Sequence, residues 1–116
     1  MRPLGVERSS AEGFELLVVE GEIDMASSSR LIAVLNEAVA EAVRSLVVDL
    51  SDVDFIDSTG LALLVGAYRR LRWRGLGFAV VCPGGPVRRV FEVTDLVKTL
   101  RVRPTREMAL QASAAG

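Results

Sequence analysis

Residues 55–61 read Phe-Ile-Asp-Ser-Thr-Gly-Leu and lie between an apolar run at 46–50 and a long amphipathic run that starts at Leu61. This context predicts a strand-to-helix turn with the hydroxyl of Ser58 at the helix start. Unpaired backbone N–H groups and the positive end of the helix dipole favour negative charge there. A phosphate on Ser58 would fit without disturbing the fold. The alternative is an ordinary helix N-cap, because Asp, Ser and Thr are common at that position for purely structural reasons.

Strands alternate with helices on both sides of this turn, after an opening hairpin that pairs residues 4–8 with 14–19. Residues 21–24 are expected to leave the second strand as a loop. This alternation predicts an α/β fold with a mixed, mainly parallel β-sheet, an N-terminal hairpin-like strand and about four flanking helices. Periodicity and turn residues place further strands at 46–50, 78–81 and 99–103, and helices at 27–43, at 59–74, from 86 onward and at 105–111.

The 116 residues carry a net charge of −1 and include one cysteine, Cys82. A chain of this size predicts one domain, which we place at 1–112, followed by a flexible tail at 113–116. A lone cysteine excludes an internal disulfide and indicates a reducing compartment. No apolar run reaches the roughly 18 residues of a membrane span, and residues 1–8 lack a signal-peptide pattern. We therefore expect a soluble, cytoplasmic protein that does not contact membranes.

The residue types argue against enzyme chemistry. The chain has no histidine, which removes Ser-His-Asp and Cys-His catalysis and the commonest metal ligand. It also lacks a GxxxxGK[ST] loop, so the ATP and metal for any phosphorylation must come from a partner. A phospho-aspartate receiver is another alternative, but Asp49 is expected in mid-strand and Lys98 precedes the last predicted strand. We expect no enzyme activity, no cofactor and no metal site.

Four arginines, at positions 69, 70, 72 and 74, gather at the end of the second predicted helix. Positive charge is favourable at the negative end of a helix dipole, which is the simpler interpretation. A nucleic-acid patch is the alternative, but aromatic residues are few there and the net charge gives it no support. We expect no direct binding to nucleic acid.

The 55–61 stretch resembles the signature of the STAS domains, specifically the bacterial anti-sigma factor antagonists. The resemblance extends over nearly the whole chain. Residues 21–24, Gly-Glu-Ile-Asp, match the family's Gly-x-x-Asp loop, and residues 47–51 match the strand that leads to the site. Residues 60–70 and 87–96 match the helix behind the site and the late helix with its exit. These further matches give specificity to an Asp-Ser-Thr-Gly core that is short by itself.

The resemblance implies a STAS-type sheet flanked by helices and a switch based on serine phosphorylation. The unmodified protein would bind an anti-sigma factor that is also a serine kinase, and the sigma factor would be released. The kinase, bringing ATP and metal, would phosphorylate Ser58 and the complex would dissociate. A PP2C-type phosphatase would restore the hydroxyl. By the same match, the partner-binding residues would be Asp24, Asp57, Ser58, Thr59 and Gly60.

STAS domains also serve as constitutive scaffold modules in stressosome-like complexes, and this function remains the alternative. The two functions differ in one measurable respect. Only the switch should gain a single phosphate when it is incubated with a cognate kinase and ATP.

Overall fold

The computed structural model describes residues 2–11 and 13–114, without the side chain of residue 11. The elements are β1 (Gly5–Ala11), β2 (Phe14–Ile23), α1 (Ser28–Glu41), β3 (Ser45–Ile56), α2 (Ser58–Trp73), β4 (Phe78–Val81), α3 (Pro86–Val93), β5 (Val102–Arg103) and α4 (Arg106–Ala114). The strands form a five-stranded sheet in the order β1-β2-β3-β4-β5, in which β1 and β2 are antiparallel and the remaining pairs are parallel. This confirms the predicted mixed, mainly parallel sheet with an N-terminal hairpin.

The helices divide unequally between the two faces of the sheet. The larger apolar cluster joins α1, α2 and α3 to one face, with residues such as Leu35, Leu64 and Phe91 packed on Leu17 and Val48. The smaller cluster lies under α4 on the opposite face. Its buried members are Phe14, Leu16, Val47, Ala79, Val81 and Ala109. Alternate residues of β2 and β3 enter different clusters, as the two-residue repeat of a strand requires.

The central strands are longer than the sequence indicates. β2 continues to Ile23 and β3 to Ile56, where these two residues still pair, so the loop predicted at 21–24 is wrong except for Asp24. Pairing with β3 overrides the loop-like composition of this stretch. Gly21 is needed here, because its φ is +93° and a Cβ would lie 2.1 Å from the carbonyl oxygen of Pro3. The residues just before β1 therefore lie directly against β2 at this glycine.

The C-terminal part departs from the prediction in two places. The last strand covers only Val102–Arg103 and not 99–103, because residues 97–101 form a turn closed by the bond from the Leu100 N–H to the Leu96 carbonyl. Helix α4 extends to Ala114, and Ser113 is 1% exposed. Residues 113 and 114 of the predicted tail therefore belong to this helix. Residues 115 and 116 lie outside the described residues.

None of the helices in the described ranges is long and apolar enough to cross a membrane.

The parallel part of the sheet positions the residues at 55–61. The carboxyl ends of β2 and β3 lie side by side, and the chain leaves them into α1 and α2. Side chains in these two connections are therefore brought together at one edge of the sheet.

Candidate functional site

Ser58 is the first residue of α2, at the helix start where the sequence predicts it, and it is exposed to solvent. The residue before it, Asp57, is the N-cap, and its Oδ1 accepts a 3.1 Å hydrogen bond from the backbone N–H of Gly60. Asp57 thus performs the capping that the sequence could equally have assigned to Ser58. The Ser58 hydroxyl is left as an accessible group at the positive end of a 16-residue helix.

The Asp57 carboxylate also fixes the neighbouring connection. Its Oδ2 accepts a 3.1 Å hydrogen bond from the backbone N–H of Met25, in the turn between β2 and α1. The Asp57 backbone N–H donates to the carbonyl of Ile23 at 3.1 Å. Together with its bond to Gly60, these hydrogen bonds of Asp57 join the end of β2, the following turn and the start of α2. The turn and Ser58 are held as parts of the same surface.

Asp24 lies in this turn, next to Met25, and local hydrogen bonds hold its side chain. It is half-buried, and its Oδ1 accepts 2.8 Å hydrogen bonds from both the backbone N–H and the hydroxyl of Ser27. These hydrogen bonds, that of the Ser27 hydroxyl first, lower the pKa of the Asp24 carboxyl, so it is ionised at neutral pH. The Glu22 carbonyl, 2.9 Å from the same hydroxyl, is the alternative acceptor for its single proton. The Ser27 hydroxyl therefore closes the turn and does not cap α1.

The two residues after Ser58 differ in their access to a partner. Thr59 is half-buried, whereas Gly60 is buried. A Cβ on Gly60 would lie 2.6 Å from Ile56 and 2.7 Å from Ile23. The glycine lets the first turn of α2 rest directly on the ends of β2 and β3. We therefore expect Gly60 to shape the surface from beneath, while Thr59 belongs to the surface itself.

Negative charge dominates this edge. Asp24 and Asp57 flank the Ser58 turn, and Glu22 lines a shallow depression together with Asp24. Arg2 supplies positive charge nearby: its Nε lies 2.7 Å from Asp54 Oδ2 in an ion pair whose two side chains are about half exposed. Such an exposed pair adds little stability. A further negative charge on Ser58 would add to an already acidic surface.

Two exposed apolar side chains near the site were missed at the level of sequence. Met25 is 78% exposed and Phe55 is 47% exposed. Phe55 lies two residues before the Asp57 cap in the chain, whereas Met25 is held to that cap by a hydrogen bond from its backbone N–H. Met25 is a large apolar residue in a stretch, 24–29, that is otherwise small and polar. This contrast was the signal in the sequence for an exposed apolar side chain at the site. Met25, held beside Asp24 and Asp57, adds exposed apolar area to the acidic surface.

Two further titratable side chains, those of Asp49 and Cys82, are buried. Asp49 is buried in β3, where Ser51 and Arg106 contact it, Arg106 Nε at 2.6 Å from Oδ2. Burial raises the pKa of the Asp49 carboxyl, but these contacts outweigh burial and lower the pKa overall. Burial raises the pKa of the Cys82 thiol to about 11, so the thiol is protonated at neutral pH. Within the described residues no cluster of metal-binding side chains is found.

Known proteins resemble the chain in both sequence and structure. The family model described as the STAS domain matches residues 7–109. An anti-sigma-F factor antagonist, RsfB of Mycobacterium tuberculosis, is 35% identical over 98 residues, which cover 84% of this chain and 80% of the relative. An anti-sigma-B factor antagonist of Staphylococcus aureus is 29% identical over 105 residues, covering 90% of this chain and 97% of the relative.

The crystal structure of an anti-sigma factor antagonist from Mycobacterium paratuberculosis superposes with a TM-score of 0.85 at 34% identity. The match covers 96% of this chain and 94% of that one. The family model spans the sheet from β1 into α4, including the Ser58 turn. By sequence motif, by family model and by fold, this chain belongs to the STAS domain family.

Proposed function

We infer that the chain is an anti-sigma factor antagonist whose binding is switched by phosphorylation of Ser58. In the unphosphorylated form it binds an anti-sigma factor that is also a serine kinase, and a sigma factor is released. The relatives named as antagonists support the first part of this proposal. One observation carries the second part: Ser58 is exposed at the start of α2 while Asp57 does the capping, so the hydroxyl is available for modification.

Charge explains how one phosphate could act as the switch. A phosphoserine carries a charge of about −1.5 to −2 at neutral pH and three acceptor oxygens. A partner surface that fits the neutral hydroxyl and two flanking carboxylates would meet an unpaired charge on binding. Desolvating such a group costs several kcal/mol, and about 1.4 kcal/mol corresponds to a tenfold change in affinity. The complex would therefore dissociate without any change in the fold.

The reaction also defines the partners. The chain has no phosphate-binding glycine loop, so the kinase must supply ATP and its metal ion. Reversal requires a separate enzyme that hydrolyses the phosphoserine, and a PP2C-type phosphatase fits this role. The antagonist itself is then a binding module and a substrate, not an enzyme.

Phosphorylation by a candidate kinase tests the proposal directly. The purified chain is incubated with the kinase and ATP, and its intact mass is measured alongside those of Ser58→Ala and Thr59→Ala. We expect one phosphate on the wild type and on Thr59→Ala, and none on Ser58→Ala. Labelling that survives in Ser58→Ala but is lost in Thr59→Ala would contradict the assignment of the acceptor. A chain that binds its partner but never gains phosphate would be a constitutive scaffold module.

A further inference from the structure

Trp73, the single tryptophan of the chain, is the last residue of α2 and is 92% exposed. It borders a shallow groove of about 640 Å³ between α1 and α2. An aromatic side chain of this size buries roughly 150–250 Å² when it is covered, so its exposure leaves a large apolar area in water. The groove is lined by Val39, Ala40, Arg69, Arg70, Trp73 and Arg74.

The arginines at 69, 70 and 74 line this groove and give it a positive rim, and exposed Arg72 adds positive charge on the same helix. Within residues 2–11 and 13–114, the ion pairs found use arginines of other segments, and none neutralises these four. Arg74 has a structural role, since it donates to the carbonyls of Val39 and Ala42 and closes the end of α1. Arg70 donates to Asn36 at 2.7 Å. Their positive charge therefore remains available on the surface.

The helix dipole explains the arginines but not the tryptophan. Lys or Arg in the last turn is stabilised by the negative helix end, as is seen for Arg70 and Arg72. An exposed tryptophan gains nothing from that position. Tryptophan and arginine together, around an apolar floor, are the side chains enriched where proteins bind one another most strongly. A protein-binding interface accounts for both the arginines and the exposed tryptophan.

We propose that this groove docks an acidic segment of a partner protein that carries a large apolar side chain. The apolar side chain lies on exposed Ala40 against Trp73, and its acidic neighbours contact the arginine rim. Charge complementarity selects this occupant, because the rim is uniformly positive. A membrane surface fits less well, since the groove is concave and presents one large aromatic side chain. Nucleic acid would leave the apolar floor without a matching group.

The groove is remote from Ser58. The two residues lie at opposite ends of α2, and a rise of about 1.5 Å per residue puts roughly 22 Å between them along the helix axis. The docking proposed here does not rest on the phosphorylation switch. A partner held in the groove could remain bound while the Ser58 surface is free or modified.

The fluorescence of Trp73 reports binding in the groove directly, because the chain contains no other tryptophan. The full chain is titrated with a short synthetic peptide of glutamates and aspartates around one Leu-Leu pair. We expect a saturable blue shift of the emission. Replacing the acidic residues by their amides, or the leucines by serine, should each weaken binding about tenfold. Trp73→Ala, followed with a fluorescently labelled peptide, should weaken it by a similar factor.

Charge-reversal variants of the protein give the matched control. Arg69→Glu should weaken the peptide about five- to tenfold, whereas Arg89→Glu, the same change at an exposed position on α3, should have no effect. Ser58→Asp should also bind normally. Equal weakening by Arg69→Glu and Arg89→Glu would overturn the proposal, as would the absence of saturable binding. A blue shift produced only by anionic lipid vesicles, or only by raising the protein concentration, would overturn it in favour of those occupants.

Discussion

Oδ2 of Asp57 accepts a 3.1 Å hydrogen bond from the backbone N–H of Met25, while Oδ1 accepts one of the same length from Gly60. A single carboxylate therefore joins the turn after β2 to the first turn of α2. Hydrogen bonds to charged groups contribute about 1.5–3 kcal/mol each when shielded, and less at the surface. The Asp24 turn and the exposed Ser58 are held in a fixed relation before any partner arrives. Such preorganisation lowers the entropy lost on binding.

Asp57→Ala should release both connections at once. We expect a loss of about 1–2 kcal/mol in the free energy of unfolding, as for other helix N-caps, measured by chemical denaturation. Asp57→Asn keeps an acceptor oxygen for Gly60 and should lose less. Backbone NMR should show the amide signals of Met25 and Gly60 shifting in the alanine variant. An alanine variant with unchanged stability and unchanged Met25 amide would show that the two hydrogen bonds do not form in solution.

Asp24→Ala should weaken binding of the kinase, or slow phosphorylation of Ser58, with little change in thermal stability. The carboxylate is part of the proposed partner surface, but the hydrogen bonds it makes with Ser27 are local to one turn. Asp24→Asn separates the two roles, because the amide keeps an acceptor for Ser27 and removes the charge. Both variants should bind poorly if the charge matters to the partner. A large loss of stability with normal binding would make Asp24 a structural residue of the turn.

Sequence periodicity predicted the sheet and the place of Ser58, because both depend on local patterns that the fold preserves. The apolar run at 46–50 is a central strand, and the amphipathic run from Leu61 is the body of α2. The assignment of the cap to Asp57 was not predictable, since Asp and Ser are comparable N-caps and stand side by side. Only the position of the Gly60 N–H relative to each side chain decides between them.

Longer-range contacts account for the other differences. β2 and β3 extend beyond their predicted ends because each supplies the other's backbone partners, which no single segment reveals. The tail at 113–114 becomes helical because α4 covers an apolar patch on the sheet and Ser113 is buried there. The exposure of Trp73 also depends on how α1 and α2 pack. Helical periodicity alone does not report that packing.

The contact between Asp49 and Arg106 should make stability depend on acidity. The folded-state pKa of Asp49 lies below its ordinary value of 3.8, so ionised Asp49 stabilises the fold above that pH. This contribution is lost as the pH falls through the folded-state pKa. Asp49→Asn should lower the free energy of unfolding by about 1–2 kcal/mol at neutral pH, less than for a fully buried pair because Arg106 is 53% exposed.

The same variant should also lose stability less steeply between neutral pH and about pH 3. Asp52→Asn removes an exposed carboxylate of the same strand and serves as the control, with little effect expected. Denaturation curves over this pH range measure both quantities. A parallel pH dependence in wild type and Asp49→Asn would mean that the buried carboxylate does not carry the acid sensitivity.

Phosphorylation of Ser58 should act at the interface and not by refolding the domain. The hydroxyl is exposed at a helix start, which favours added negative charge, and the Asp57 cap beneath it is complete without the hydroxyl. Ser58→Asp should therefore fold as stably as the wild type and bind the anti-sigma partner poorly, although one carboxylate carries less charge than a phosphate. Ser58→Asn, which lacks the charge, is the matched control and should bind better than Ser58→Asp.

Backbone NMR of the free and phosphorylated protein distinguishes a local effect from a conformational switch. Shift changes should be confined to the turn that carries Asp24 and Met25, to residues 57–61 and to the surface beside them. The amides of α4, on the opposite face of the sheet, should keep their positions because that helix packs on a separate apolar cluster. Shifts spread across the sheet and α4 would instead require a rearrangement of the core. The electrostatic account of the switch would then have to be abandoned.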